Sequence, residues 1–394
     1  MNDRAAPEIV TSRAPSSAWS RSVVYSAILS ALVLAIIAWT THEPGVYAAV
    51  KDSFNPVMLL GAIGIVLLRV ALGGWRISYA SRGHISPTGG VRGQLAWDFF
   101  SVVTPSIIGG GPIAAFFMAR DQRVSTGEST AIILYLMVLD QMFFALTVPL
   151  VIIGQLFLPV LPASLGTIGT TTAVTYFLLI LLWVGSLTYA AVLKPELLQR
   201  VANRLVRFRW LRRFRVRVER ESALLAERAR AIRSQSFRFF FVCAVLTIAV
   251  WVTKHLLIVF AILCFQPTVD ALLVLIKSAA LMLGALVMPT PGGSGAVETF
   301  YAILVGPAVL RPTLVPSLLV WRVLGYYVFL AAGAFLTMSH HHVRRSKQPG
   351  AQGETCDIAI DEGSTVPVVA DSEQPGEQTG KRPGEHFGRE RPSS

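Results

Sequence analysis

Eight ionisable side chains lie inside otherwise apolar stretches: Arg69, Asp98, Asp140, Lys254, His255, Lys277, Glu298 and Arg322. Within a bilayer each is expensive unless it is paired or hydrated, so a group of them marks an internal polar site. Asp140 falls near the centre of its run, and Lys254 with His255 near the centre of theirs. Glu298 stands about one turn beyond a glycine cluster, where a carboxylate gains from the positive end of a starting helix. It can pair with Arg322 as an internal bridge, or the two can act on a ligand. Together these acids and bases describe a cavity for a charged or zwitterionic group. Arg69, Asp140, Lys254, Glu298 and Arg322 are the candidates to touch that group, and Asp140 and Glu298 are candidates for proton coupling.

Two clusters of glycine and proline add a second signal. Thr104-Pro105 precedes Gly109-Gly110-Gly111-Pro112, and Thr290-Pro291 precedes Gly292-Gly293-Ser294-Gly295. Such breaks at membrane depth are tolerated where the freed backbone faces protein or a water-filled cavity. A half-helix starting there presents bare N–H groups and a positive dipole end, which suits a phosphate or carboxylate. Pro112 fits the first position of such a helix, because its missing N–H is not needed there. Gly292, Gly293 and Gly295 allow close backbone approach to a ligand. Tight helix crossings through small residues would use the same residue types. No nucleophile–base pair, phosphate-binding loop or zinc-protease motif is present, and Ser294 has no neighbour that would activate it. No metal or other cofactor is expected. Cys243, Cys264 and Cys356 have neither disulfide nor metal-ligand spacing. His340–His342 with Arg344 and Arg345 read as a juxtamembrane basic cluster.

The elements that must position these residues follow from composition. Of 394 residues, 53% are hydrophobic and 15% charged, with a mean hydropathy of +0.57, against about 25% charged in a soluble domain. Six apolar runs are long enough to span a bilayer, near 22–40, 56–74, 129–156, 172–193, 239–265 and 313–338. The first is longer than a signal-peptide core and lacks a clear cleavage site, so it reads as a retained helix. Two further apolar stretches, 88–118 and 270–306, are interrupted by the glycine–proline clusters.

The net charge of +12 is concentrated in one place. Residues 194–238 hold fourteen bases and four acids, which places that loop in the cytoplasm. Its first part, 198–220, alternates arginine with apolar residues, as a basic helix lying on anionic lipid does. Segment 157–171 carries no charge and reads as external. The basic segments containing Arg76, Arg82 and Arg92, and Arg120 with Arg123, read as internal loops. Stretch 88–118 then returns to its own side as a re-entrant hairpin. Stretch 270–306 is either a second hairpin or two full spans. The expected fold is thus an all-α polytopic membrane protein of about six spanning helices plus two broken hairpins, or eight spans if the hairpins cross. Each half reads helix, helix, hairpin, helix from opposite sides, an inverted repeat. Residues 1–21 form a disordered cytoplasmic N-terminus, 22–340 the membrane domain, and 341–394 a disordered cytoplasmic tail. Trp39, Trp75 and Trp97 read as interface anchors.

The residues resemble a known family, the transmembrane region of lysylphosphatidylglycerol synthase and its stand-alone relatives. The matching pieces are Trp75-Arg76, Thr104-Pro105 with Gly109–Pro112, Ser125–Asp140, the run from Met288 through Pro291 and Gly295 to Glu298, and Arg322. The resemblance spans roughly residues 20–340, and the run ending at Glu298 is its most specific part. It implies a bacterial cell-membrane protein that flips a phospholipid between leaflets. In full synthases a separate soluble domain transfers lysine from aminoacyl-tRNA; only a short tail follows residue 340 here, so that activity is not implied.

The leading expectation is therefore a lipid translocase and not an enzyme, with membrane lipids, anionic ones foremost, as partners and no role for nucleic acid. A head group would sit between the hairpin tips, held by half-helix N-termini and by Arg69, Arg322 or Lys254. A membrane-embedded transferase using Asp98 or Asp140 as base is one alternative. A scaffold that recruits a soluble biosynthetic enzyme through the 194–238 loop is another.

Overall fold

The computed structural model describes residues 16–40, 46–104, 110–162, 166–189, 234–286, 290 and 292–336. The described residues form helices joined by short turns. Their order is α1 (Ser16–Thr40), α2 (Val46–Ser53), α3 (Pro56–Ala80), α4 (Pro87–Val103), α5 (Gly110–Gln122), α6 (Thr126–Phe157) and α7 (Gly166–Thr188). After the basic segment come α8 (Phe237–Leu263), α9 (Ala271–Ala285), α10 (Ala296–Phe300) and α11 (Arg311–Leu336). A π-helical turn, Tyr301–Val305, continues α10, and another, Val323–Tyr327, interrupts α11.

Local chemistry sets the helix starts. Asn55 caps α3 by accepting the Val57 and Met58 N–H groups, and Pro56 occupies the first helical position. Ser86 and Pro87 repeat that arrangement at α4. Ser125 accepts the Glu128 N–H at α6, and Asp270 accepts two N–H groups at α9. Helices α3, α6, α8 and α11 are long and apolar enough to cross a membrane. Their outer faces expose Leu60, Leu67, Leu146, Leu156 and Phe335, each by more than half. Polar side chains such as Arg69, Arg76, Glu298 and Arg322 are buried. Apolar residues outside and charges inside is the arrangement of a membrane protein.

The six apolar runs of the sequence are helical in nearly all of their described parts, and each interrupted stretch has a helix on either side of its glycine–proline cluster. With about 1.5 Å per residue, α4 is about 25 Å long and α5 about 20 Å, short of the roughly 30 Å hydrocarbon core. In chain order the first half runs α1, α3, the α4–α5 pair and α6, with the short α2 added, and the second runs α7, α8, the α9–α10 pair and α11.

Two apolar cores surround the two hairpins. One joins Ile77, Ala96, Phe99, Ala114, Met118 and Ile132 around α4–α5. The other joins Leu281, Leu283, Val297, Tyr301 and Leu304 with parts of α3, α6 and α8 around α9–α10. Helices α3 and α4 cross through glycine: a Cβ on Gly90 would lie 2.1 Å from the Gly74 carbonyl oxygen. So the small residues at this crossing serve backbone contact. The second glycine–proline cluster also meets the first hairpin near the end of α4. A Cβ on Gly292 would stand 2.9 Å from the Val102 carbonyl oxygen, next to the end of α4, and 2.7 Å from Tyr326 Cε2 on α11.

Several expectations change. Arg76 belongs to no loop, because α3 continues to Ala80 and buries it. Trp97 is no interface anchor; it is 8% exposed, with the Arg76 guanidinium 5.4 Å from its ring centre. Trp39 and Trp75 are exposed, as anchors would be. Pro112 is the third residue of α5, which opens at Gly110.

Candidate functional site

Helix α3 carries arginines at positions 69 and 76, two turns apart and so on one face. Both turn inward. The Arg69 guanidinium makes a two-pronged contact with Asp98 on α4, at 3.2 Å and 3.0 Å. Its flat face lies 4.1 Å from the Phe329 ring centre. Gln94, one turn before Asp98, donates to the same carboxylate at 3.1 Å. One layer along, Arg76 Nη1 contacts Asp140 Oδ1 on α6 at 2.5 Å. Trp251 of α8 donates its indole N–H to that oxygen at 2.9 Å, and Thr247 lies 3.5 Å from Arg76 Nη1.

Lys254 completes the layer. Its ammonium sits 3.9 Å from the Trp251 ring centre. Neither an ion pair nor a hydrogen bond holds it among the described residues. Two arginines are matched by two aspartates, so the layer carries one cation in excess. Arg76, Asp98, Asp140, Gln141 and Lys254, with Trp97, Phe144 and Trp251, line a cavity of about 60 Å³. That volume takes roughly four to six water-sized groups, the scale of a phosphate.

The position of this layer is informative. Along α3, Val66 belongs to one apolar core and Ile77 to the other, with Arg69 and Arg76 between them. Along α6, Leu136 and Phe144 bracket Asp140 in the same way. The charges therefore occupy the seam between the cores.

Glu298 and Arg322 lie in a second cluster. Glu298 is fully buried, and Arg322 Nη2 stands 2.6 Å from its Oε1. Ser30 of α1 donates to that oxygen at 2.6 Å, and Tyr327 donates to Ser30 at 3.1 Å. The Gly295 N–H donates to Glu298 Oε2 at 2.8 Å. The internal bridge weighed from the sequence is thus formed. It also answers the expectation of a ligand anion at the start of the second half-helix: the chain's own carboxylate occupies that place. Arg322 is ion-paired with Glu298, although its Nε has no acceptor among the described residues, which leaves Lys254 as the cation without an ion pair among Arg69, Lys254 and Arg322.

The remaining candidates divide as follows. Gly110 and Gly111 pack tightly, a Cβ on them reaching 2.3 Å from the Ser101 nitrogen and 2.6 Å from Met137 Sδ. Thr104 ends α4 by donating its hydroxyl to the Phe100 carbonyl, and Pro112 is exposed. Gly292, Gly293 and Gly295 all have positive φ in the second tip. Pro105, Gly109 and Pro291 lie outside the described residues, as do most of the 194–238 loop, with the enzyme-docking role weighed for it, and His340–Arg345. His255 bonds Ser278, and Lys277 donates to the Val160 carbonyl at 2.9 Å. Gln94, Gln141, Thr247, Trp251 and Ser30 went unnoticed in the sequence as site residues. Only Gln94 left a trace, one turn from Asp98. Among the described residues no group of three metal-ligating side chains occurs.

An all-α bundle with an apolar exterior, two helical hairpins in contact and a charged seam defines a multi-pass membrane protein. The chain belongs to the lysylphosphatidylglycerol synthase TM region family, whose model matches residues 23–333. That family name ties the chain to lipid-related function in a membrane. A search of curated proteins and a search of solved structures each return no match.

Proposed function

We propose that this protein moves a lipid head group, anionic or zwitterionic, across the cell membrane, and that it does so as a carrier without catalysing a chemical step. The observation that carries this reading is Lys254. Its ammonium is partly buried, has no carboxylate partner among the described residues, and lines a cavity bordered by Asp98 and Asp140, each already paired with an arginine. Such a cation is stable in an apolar interior when an anion or water can reach it. A phosphodiester entering the cavity supplies that anion, while its acyl chains remain in the bilayer. The cavity lies in the seam between two apolar cores, where one half of the bundle can rock against the other. The basic 194–238 segment favours an orientation with that loop and both termini in the cytoplasm.

Reconstitution tests the proposal. Proteoliposomes with fluorescent phosphatidylglycerol or phosphatidylethanolamine in the inner leaflet should show accelerated exposure to an external quencher. Lys254→Met protein that is monodisperse in detergent should lower the rate at least about tenfold, the loss of one charge-assisted contact. Rates equal to those of protein-free vesicles for every lipid tried would overturn the reading.

A further inference from the structure

The seam cavity holds more unmet hydrogen-bonding capacity than Lys254 alone. Among the described residues, Arg76, 2% exposed, has no acceptor for its Nε, and Gln141, 3% exposed, has no donor for its side-chain Oε1. Both residues line the cavity with Lys254. A buried polar atom without a partner is costly, and the usual remedy is ordered water or ligand. Arg76 Nε and the Lys254 ammonium can only donate, so they call for the oxygens of an anion. An amide oxygen can only accept, so Gln141 calls for an O–H or N–H. Gln94 also lines the cavity, and its Oε1 has no donor among the described residues, but that oxygen lies against Gly73 at the α3–α4 crossing and its amide N–H is given to Asp98, so the selectivity argument rests on Gln141.

We infer that Gln141 is a specificity-determining residue, and that the cavity selects a phosphodiester whose head group also carries a hydroxyl or ammonium donor. This rests on the lipid-carrying reading and sharpens it. A glycerol or ethanolamine head group offers oxygens to Lys254 and Arg76 together with a donor for Gln141. A choline head group has the same phosphodiester but a quaternary nitrogen without any N–H. It leaves Gln141 Oε1 buried and unmet, and a site built around a polar group discriminates strongly against a ligand that cannot satisfy it. Phosphate oxygens together with a hydroxyl donor are also present, on a phosphomonoester, in soluble glycerol phosphate, so a lipid and a soluble source have to be told apart.

Transport rates of labelled phosphatidylglycerol, phosphatidylethanolamine and phosphatidylcholine in wild-type proteoliposomes make the test, with glycerol phosphate binding to the detergent-solubilised protein as a second arm. The expected result is a rate for the first two at least about tenfold above phosphatidylcholine. Gln141→Leu should bring that ratio towards one by slowing the donor-bearing lipids. Phosphatidylcholine moving as fast as phosphatidylglycerol in the wild type would overturn the inference and leave lipid carriage standing. Lys254-dependent binding of glycerol phosphate with no movement of any lipid would support the recognition chemistry and overturn lipid carriage. Absence of both binding and movement would overturn both.

Discussion

Arg76 and Asp140 meet at 2.5 Å although 64 residues separate them, and Trp251 donates to the same carboxylate oxygen from a third helix. One contact thus ties α3, α6 and α8 together where the two apolar cores abut. Arg76 is 3% exposed at its side chain and Asp140 16%, so neither partner is well solvated alone. Arg76→Met therefore leaves a carboxylate stranded and should cost about 3 kcal/mol, the lower end for a broken buried pair. The double variant Arg76→Met with Asp140→Leu removes both charges and should recover most of that loss. Thermal unfolding in detergent, followed by tryptophan fluorescence, reads the difference. A double variant as unstable as the worse single one would show that the pair does not act as a unit.

The hairpin tips give a prediction free of charge effects. Gly292 has φ of +59°, and a Cβ there would clash with both the Val102 carbonyl and the Tyr326 ring. Gly292→Ala combines left-handed backbone strain of about 1–2 kcal/mol with displacement of a neighbouring hairpin. It should lower Tm by several degrees and reduce the yield of monodisperse protein. Gly64 and Gly185 sit in helices, and a Cβ on either would meet open space. Gly64→Ala and Gly185→Ala should be neutral or raise stability by up to about 1 kcal/mol. Equal behaviour of all three variants would remove the tip contact as an explanation for Gly292.

Residues 30 and 298 test how α1 is held. Ser30 is fully buried and reaches Glu298 across 268 positions of sequence. Glu298 still has Arg322 and the Gly295 N–H when the serine hydroxyl is removed. Ser30→Ala should accordingly cost only about 1 kcal/mol, the net worth of a single hydrogen bond. Glu298→Ala strands the Arg322 guanidinium, which is 5% exposed at its side chain, and should cost about 3–5 kcal/mol. Detergent Tm values in the reverse order would mean that the carboxylate serves the serine and not the arginine.

Much of this arrangement is legible in the sequence, because membrane helices announce themselves through long apolar runs and each interior charge stands out against them. Asp140, Lys254, Glu298 and Arg322 are visible on that ground, and the Glu298–Arg322 pair is among the readings they allow. What pattern cannot supply is which charge meets which across helices distant in sequence. Arg76 looks like a loop base because it follows the apolar run 56–74, but α3 runs on to Ala80 and carries it into the bundle. Trp97 looks like an anchor because tryptophan favours interfaces, yet its ring is needed beside Arg76. Gln141 gives no sign at all, since an uncharged polar residue at a helix position becomes notable only when its neighbours fail to satisfy it. Pattern alone allows either a ligand anion or the nearby Glu298 at the start of the second half-helix; the folded chain shows the Gly295 N–H given to Glu298.

Two lysines in the apolar interior separate a structural role from a binding one. Lys277 is 2% exposed and spends its ammonium on the Val160 carbonyl, in the segment just after α6. Lys254 faces the seam cavity and lies over the Trp251 ring, with no ion pair or hydrogen bond among the described residues. Removing Lys277 as Lys277→Met relieves a buried charge but leaves the Val160 oxygen unmet, two effects of opposite sign and about 1–3 kcal/mol each. Its Tm should move by only a few degrees and its lipid transport should stay within about twofold of wild type, under the tenfold that one lost charged contact gives. Lys254→Met removes an unmatched cation at the loss of one cation–π contact of about 1 kcal/mol, so Tm should hold or rise while transport falls. Stability kept and activity lost is the signature of a residue retained for its ligand. A Lys254→Met protein that unfolds at a markedly lower temperature would instead make the ammonium part of the scaffold.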